Sequence, residues 1–160
     1  MRNSIIVVGL FLLLSGCERH FDLKVETARI VQHEGRSNGD LLEVLLSSSA
    51  DLKKEASGLF SGDLYFVMSV CGRTDYAIAR AYDGGTTRKA DRYLYNIQFP
   101  RELSQLTIVK QIPGGKTLAS GWSLESIVRD GVCFSAAIPS AGVTSTAGPV
   151  RSDEVASLLR

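Results

Sequence analysis

Side chains able to do chemistry are few in this chain and widely spread. Its candidate nucleophiles and metal ligands are three cysteines (Cys17, Cys71, Cys133) and two histidines (His20, His33). A zinc protease needs two imidazoles one helical turn apart with a glutamate between them, and no His-Glu-x-x-His spacing occurs. His33-Glu34 runs into the glycine-led turn at Gly35, where a solvated loop end is expected. Gly115-Lys116-Thr117 ends like a phosphate-binding loop, but Lys110 stands where that loop needs its first glycine. In Gly58-Leu59-Phe60-Ser61-Gly62 the serine falls one place too late for a nucleophile elbow. Paired carboxylates for glycosyl chemistry are set by the fold, and no spacing singles out a pair here. The expectation is a non-enzymatic chain with no catalytic residue, no metal site and no cofactor.

One segment stands out for binding. Between Arg73 and Arg101 lie Arg73, Arg80, Arg88, Lys89, Arg92 and Arg101 against Asp75, Asp83 and Asp91. The same stretch holds Tyr76, Tyr82, Tyr93 and Tyr95, four of the chain's five tyrosines. Tyrosine and arginine dominate binding hot spots because each buries a large area while its polar end stays satisfied. A local positive excess also steers an acidic partner. Tyr76, Arg80, Tyr82, Arg88 and Arg92 are therefore the candidate partner-binding residues. The plainer alternative is that the tyrosines fill the core side of two strands while the arginines are solvated. Trp122, in Ala119-Ser120-Gly121-Trp122-Ser123, could be an exposed loop anchor or lie in the core or at its rim.

The amino terminus carries an address. Met1-Arg2-Asn3-Ser4 is followed by an apolar run from Ile5 to Leu14 and then Ser15-Gly16-Cys17. A charged start, an apolar core of about 7–15 residues and small residues before a cut describe a secretory signal. The run is about half the roughly 20 residues a spanning helix needs. Leu14-Ser15-Gly16-Cys17 resembles the lipobox of bacterial lipoproteins. That resemblance implies cleavage between Gly16 and Cys17, acylation of the Cys17 thiol, and, with Glu18 rather than aspartate next, anchoring at the periplasmic face of the outer membrane. The alternative is an ordinary cleaved signal.

Removing 16 residues from 160 leaves 144, enough for one domain with a real core, placed at 21–160 behind a short tether at 17–20. Arg2 leaves with the signal, so the 18 basic and 17 acidic side chains of the whole chain become 17 of each. That balance gives nucleic acid no support as a partner. With Cys17 assigned to lipid, Cys71 and Cys133 remain as an even pair on the oxidising side of a membrane, where a disulfide is expected. It would close a loop of about 63 residues and stabilise the fold by roughly 4 kcal/mol. Two separate buried thiols are the alternative.

These residues need a scaffold, and the sequence reads as mainly β. Phe21 to Glu26 alternates at period two, and a phase slip at Thr27-Ala28 marks a bulge. Leu41–Leu46 fits a buried strand or a short helix, and Asp51–Glu55 one helical turn. Leu64–Cys71, apolar on both faces, is the central-strand candidate. Tyr76–Tyr82 reads as one strand closed by Asp83-Gly84-Gly85. In Tyr93–Phe99 the odd positions form an apolar face, Asn96 and Gln98 face water, and Pro100 ends the strand. Leu106–Ile112 follows, then a turn at Pro113-Gly114. Ile127-Val128-Arg129, Asp130-Gly131 and Val132-Cys133-Phe134 give a hairpin signature. A terminal helix is expected after the Ser152 cap, with Val155, Leu158 and Leu159 on one face. About seven short strands predict an antiparallel β-sandwich or barrel-like domain with a short C-terminal helix, its two sheets stapled by the disulfide.

The lipobox, Asp63–Cys71 and Gly131-Val132-Cys133-Phe134-Ser135 followed by a short helix together resemble the periplasmic immunity lipoproteins of type VI secretion effectors. The resemblance implies a preformed surface that occludes a toxin or wall-degrading effector where it acts. The alternative partner is a subunit of an envelope secretion complex that this chain helps to assemble. In either case the membrane is reached through the lipid alone.

Overall fold

The computed structural model describes residues 21–32, 39–57, 63–83, 88–110, 121–138 and 150–160. The expected signal segment with Gly16 and Cys17, both histidines, the Gly-Lys-Thr run and the turn expected at Pro113-Gly114 lie outside the described residues.

Alternation of apolar and polar side chains builds the first sheet. β1 (Leu23–Val31) pairs antiparallel with β2 (Leu41–Ser48), and β2 pairs with β7 (Arg92–Pro100). The other edge of β7 is shared by β5 (Ala81–Asp83) and β6 (Arg88–Lys89). In β1 the phase slip is real. Val25 pairs with Leu46 and Thr27 with Leu45, so Glu26 is the bulged residue, slightly earlier than the sequence placed it. Before the bulge Leu23 and Val25 face the core; after it Ala28 and Ile30 do. Leu41–Leu46, ambiguous in sequence, is a strand because Leu42, Val44 and Leu46 each face the core at period two.

The second sheet has the order β10 (Val150–Ser152), β9 (Val132–Ala137), β3 (Tyr65–Val70), β4 (Tyr76–Ile78), β8 (Ile108–Val109). β3 is central, as its two apolar faces required. Phe66, Met68 and Val70 line the core, and Val67 is also buried. The two sheets meet through aromatic pairs, Phe66 with Tyr95 at 5.2 Å and Phe99 with Phe134 at 6.0 Å between centroids. Such tilted contacts suit the ring quadrupoles. The domain is a mainly β antiparallel sandwich that ends in a short helix, α3 (Asp153–Ala156). Val155, Ala156 and Leu159 are buried there, Leu158 partly so, and the Ser152 side chain makes no capping bond.

Three local expectations need correction. Tyr76–Tyr82 is not one strand: β4 ends at Ile78 in the second sheet, and the chain crosses at Ala79-Arg80 to begin β5 in the first. Ala79 N–H still bonds Phe66 of β3, while Arg80 N–H bonds Gln98 of β7. The Ile127–Phe134 hairpin is instead α2 (Leu124–Asp130) followed by β9. Ser123 caps the helix by accepting from Ser126 N–H at 3.1 Å, and Ile127 buries completely. Gly131, at φ +75°, then turns the chain into β9. Asn96 and Gln98 do not face open water; both are half-buried beside Glu43. Gln98 donates to that carboxylate at 3.3 Å, and Arg29 bonds it from the other side. Burial pushes the Glu43 carboxyl up, but bonds from Arg29, Asn96 and Gln98 outweigh this and hold it below its ordinary value.

Cys71 and Cys133 form the disulfide. It does not staple the two sheets. Cys71 follows β3 directly and Cys133 lies in the neighbouring β9, opposite Ser69, so the bond ties adjacent strands of one sheet. The ladder bonds already hold those strands together, and Cys71 N–H extends the ladder to Gly131.

α1 (Leu52–Ala56) follows β2 and tucks Leu52 and Ala56 into the core. Its Asp51 cap accepts from Lys54 N–H at 3.1 Å. The helix is also fixed from β7. Tyr95, fully buried, accepts from Leu52 N–H at 2.8 Å. Burial pushes the Tyr95 phenol up to about 12.

Candidate functional site

Four of the five candidate binding residues lie in or beside the first sheet, and the fifth, Tyr76, lies in the second. Arg80 leads into β5, and Arg88 and Lys89 form β6, so all three line the edge of β7 that faces away from β2. Their environments differ. Arg88 lies over the Tyr93 ring, 5.7 Å from its centroid, and bonds the Ala90 carbonyl at 3.1 Å. Tyr93 packs partly against the core, so this stack holds the cation against the margin of the core. Lys89 is exposed beside it. Arg80 is exposed and forms no ion pair with any described residue.

Arg92 has a different job. Its guanidinium donates to Ser47 Oγ at 2.7 Å and to the Ser47 carbonyl at 3.1 Å. It also donates to the Asp22 carboxylate at 2.7 Å and the Asp22 carbonyl at 2.9 Å. The fork is thus filled by β2 and by the residue preceding β1, and it positions the start of the domain. Asp22, bonded by Arg92, is held below the usual carboxylate range. Tyr76 is half-buried and pairs with Val109 of β8. Tyr82 sits opposite Ile97 in the register of β5 with β7. The five candidates therefore divide: Arg80 and Arg88 flank the β5–β6 side of β7, Tyr82 lies between them in sequence on the same side, Tyr76 belongs to the other sheet, and Arg92 is a clamp.

The crossing at Ala79-Arg80 shapes the surface. Two open grooves border the crossing segment. One, of about 420 Å³, is lined by Asp63, Leu64, Tyr65, Phe66 and Ile78–Arg80. The other, of about 380 Å³, is lined by Ile78–Arg80 with Pro100, Gln105 and Thr107. Both volumes fall within the range of small-ligand clefts. In the first groove Tyr65 donates to the Asp63 carboxylate at 3.3 Å, and burial and that carboxylate push its phenol up.

Behind the site, Trp122 belongs to the core and is not an exposed anchor. Its Nε1–H donates to Asp75 Oδ2 at 3.0 Å. Arg73 grips the same carboxylate through two bonds, at 2.8 and 2.9 Å, and bonds the Gly121 carbonyl at 3.1 Å. Burial raises the Asp75 carboxyl, but the Arg73 and Trp122 bonds prevail and leave it below its ordinary value. Among the described residues, Leu124 and Val128, four apart on α2, are the exposed large apolar side chains. Sequence reasoning missed them because it placed Val128 in a strand.

Among the described residues no three or more of His, Cys, Asp and Glu gather as a metal site, and no helix is long and apolar enough to cross a membrane. Comparison with known proteins found no matching family model, no matching curated protein and no matching solved structure.

Proposed function

We propose that this chain is a lipid-anchored periplasmic protein that binds and occludes another protein, a toxin or wall-degrading effector acting in the same compartment. The observation that carries the reading is the cationic edge of the first sheet. Arg80, Arg88 and Lys89 are exposed there without an acidic partner among the described residues, on a sandwich tied by a disulfide. A preformed surface loses little conformational freedom on binding, which is what an occluding inhibitor needs. The signal and lipobox resemblance at 1–18 supports anchoring through Cys17, and the positive edge suits an acidic target.

The test is a crosslinking pull-down from cell envelopes with the full chain and its Cys17→Ala form. Recovery of one toxin or hydrolase whose activity the chain blocks, with blocking lost when Arg80 and Lys89 become glutamate, supports the proposal. Stoichiometric recovery of a multi-protein envelope complex without a toxin replaces it with an assembly role. If Cys17→Ala stays membrane-bound, the anchoring assignment fails.

A further inference from the structure

The two grooves bordering the Ala79-Arg80 crossing differ in charge. The Asp63 side already contains a carboxylate, hydrogen-bonded by Tyr65. The Pro100 side has no acidic lining residue among those described. Arg80 borders both grooves, and the Pro100 side adds Gln105 and Thr107, with Ile78 and Pro100 as its apolar lining. None of those three polar side chains is held by another described side chain, and Gln105 and Thr107 are exposed. The neighbouring cations are already occupied: Arg101 pairs with Asp40 at 3.1 Å, and Arg160 with Glu102 at 3.1 Å. One guanidinium is therefore left to offer a planar pair of donors beside an open groove. The amide and the hydroxyl add donors that a carboxylate can use.

Resting on the binding-protein reading above, we propose that the Pro100–Gln105–Thr107 groove is the point of recognition. It receives an aspartate or glutamate side chain from a protruding segment of the partner, which Arg80 grips. Arg80 is then the residue that sets partner choice, while Arg88 and Lys89 on the same edge speed encounter.

The experiment places a p-benzoylphenylalanine crosslinker at position 107 of the full chain in its native envelope, with a second at exposed position 124 as a control. The crosslinked partner peptide is then sequenced. The expected result is a peptide from one protein that contains an acidic residue. Arg80→Glu should weaken binding of that protein at least about thirty-fold. Exchanging the partner's acid for arginine should restore it. Circular dichroism melting of Arg80→Glu checks that the fold survives, and Arg80→Gln serves if it does not. Capture at 107 that ignores the Arg80 substitutions, a peptide without an acid, capture only from 124, or labelling of lipid or glycan would each overturn this assignment while leaving a binding role standing. No capture from either position, together with an empty pull-down, would remove both.

Discussion

Replacing Asp75 by alanine strips a buried carboxylate from between Trp122 and Arg73. The indole N–H is then left buried with nothing to accept it, a loss of about 1–3 kcal/mol for an orphaned donor. Arg73 contributes less. Its side chain is 40% exposed and can rehydrate, so its pairing is worth at most about 1 kcal/mol. The expected cost is about 1–4 kcal/mol, which shifts a urea midpoint by about 0.5–2 M at the usual slope for a domain of this size. Trp122 is the chain's one tryptophan, so its fluorescence reports the event directly. Asp75→Asn adds a pH signature. The folded carboxyl titrates below its ordinary value of 3.8, so the charged form stabilises the fold above that value. The stabilisation is lost as pH falls through the lowered folded value. The difference between wild type and Asp75→Asn should therefore be full at pH 7 and shrink in strong acid. A cost for Asp75→Ala below about 0.5 kcal/mol, the scatter of ordinary surface substitutions, would refute the reasoning. So would an Asp75→Asn difference that ignores pH.

Reducing Cys71–Cys133, whose cysteines are 62 residues apart in sequence, should cost about 4 kcal/mol on the chain-entropy account; paired unfolding curves with and without reductant check this. Tyr95→Phe leaves Leu52 N–H without its acceptor and should cost about 1–3 kcal/mol, measured by thermal melting. In an alkaline ultraviolet titration of the wild type, the Tyr95 phenol should ionise only near pH 12. Gly131→Ala forces an L side chain into a positive φ and puts its Cβ 2.6 Å from Asp153 Oδ1. A loss of about 1–3 kcal/mol in denaturant stability is expected.

Sequence reading succeeded where local pattern and burial agree. The odd face of β7 could be read because Tyr95, Ile97 and Phe99 are all fully buried. The bulge in β1 could be read because one extra residue moves its inward positions from odd to even. The pairing of Cys71 with Cys133 followed from their being the two cysteines left over. The failures have equally physical causes. Asp130-Gly131 is a good hairpin turn in isolation, but the Ser123 cap and the burial of Ile127 favour one short helix before it. The break at Ala79-Arg80 depends on Gln98 claiming the Arg80 amide, a choice made far along the chain. Arg92 looked like a free cation because its partners, Asp22 and Ser47, lie 70 and 45 residues away.

That last arrangement decides how the domain bears a mechanical load. A pull on the chain ahead of Asp22 does not meet β1 alone, an edge strand that could be stripped off one bond at a time. It reaches Arg92 at once and spreads through that side chain into β7 and, at Ser47, into β2. Arg92 thereby links the residue ahead of β1 to β7 and, at Ser47, to β2. Under the amino-terminal anchoring proposed above, the domain is in this way hooked from its middle.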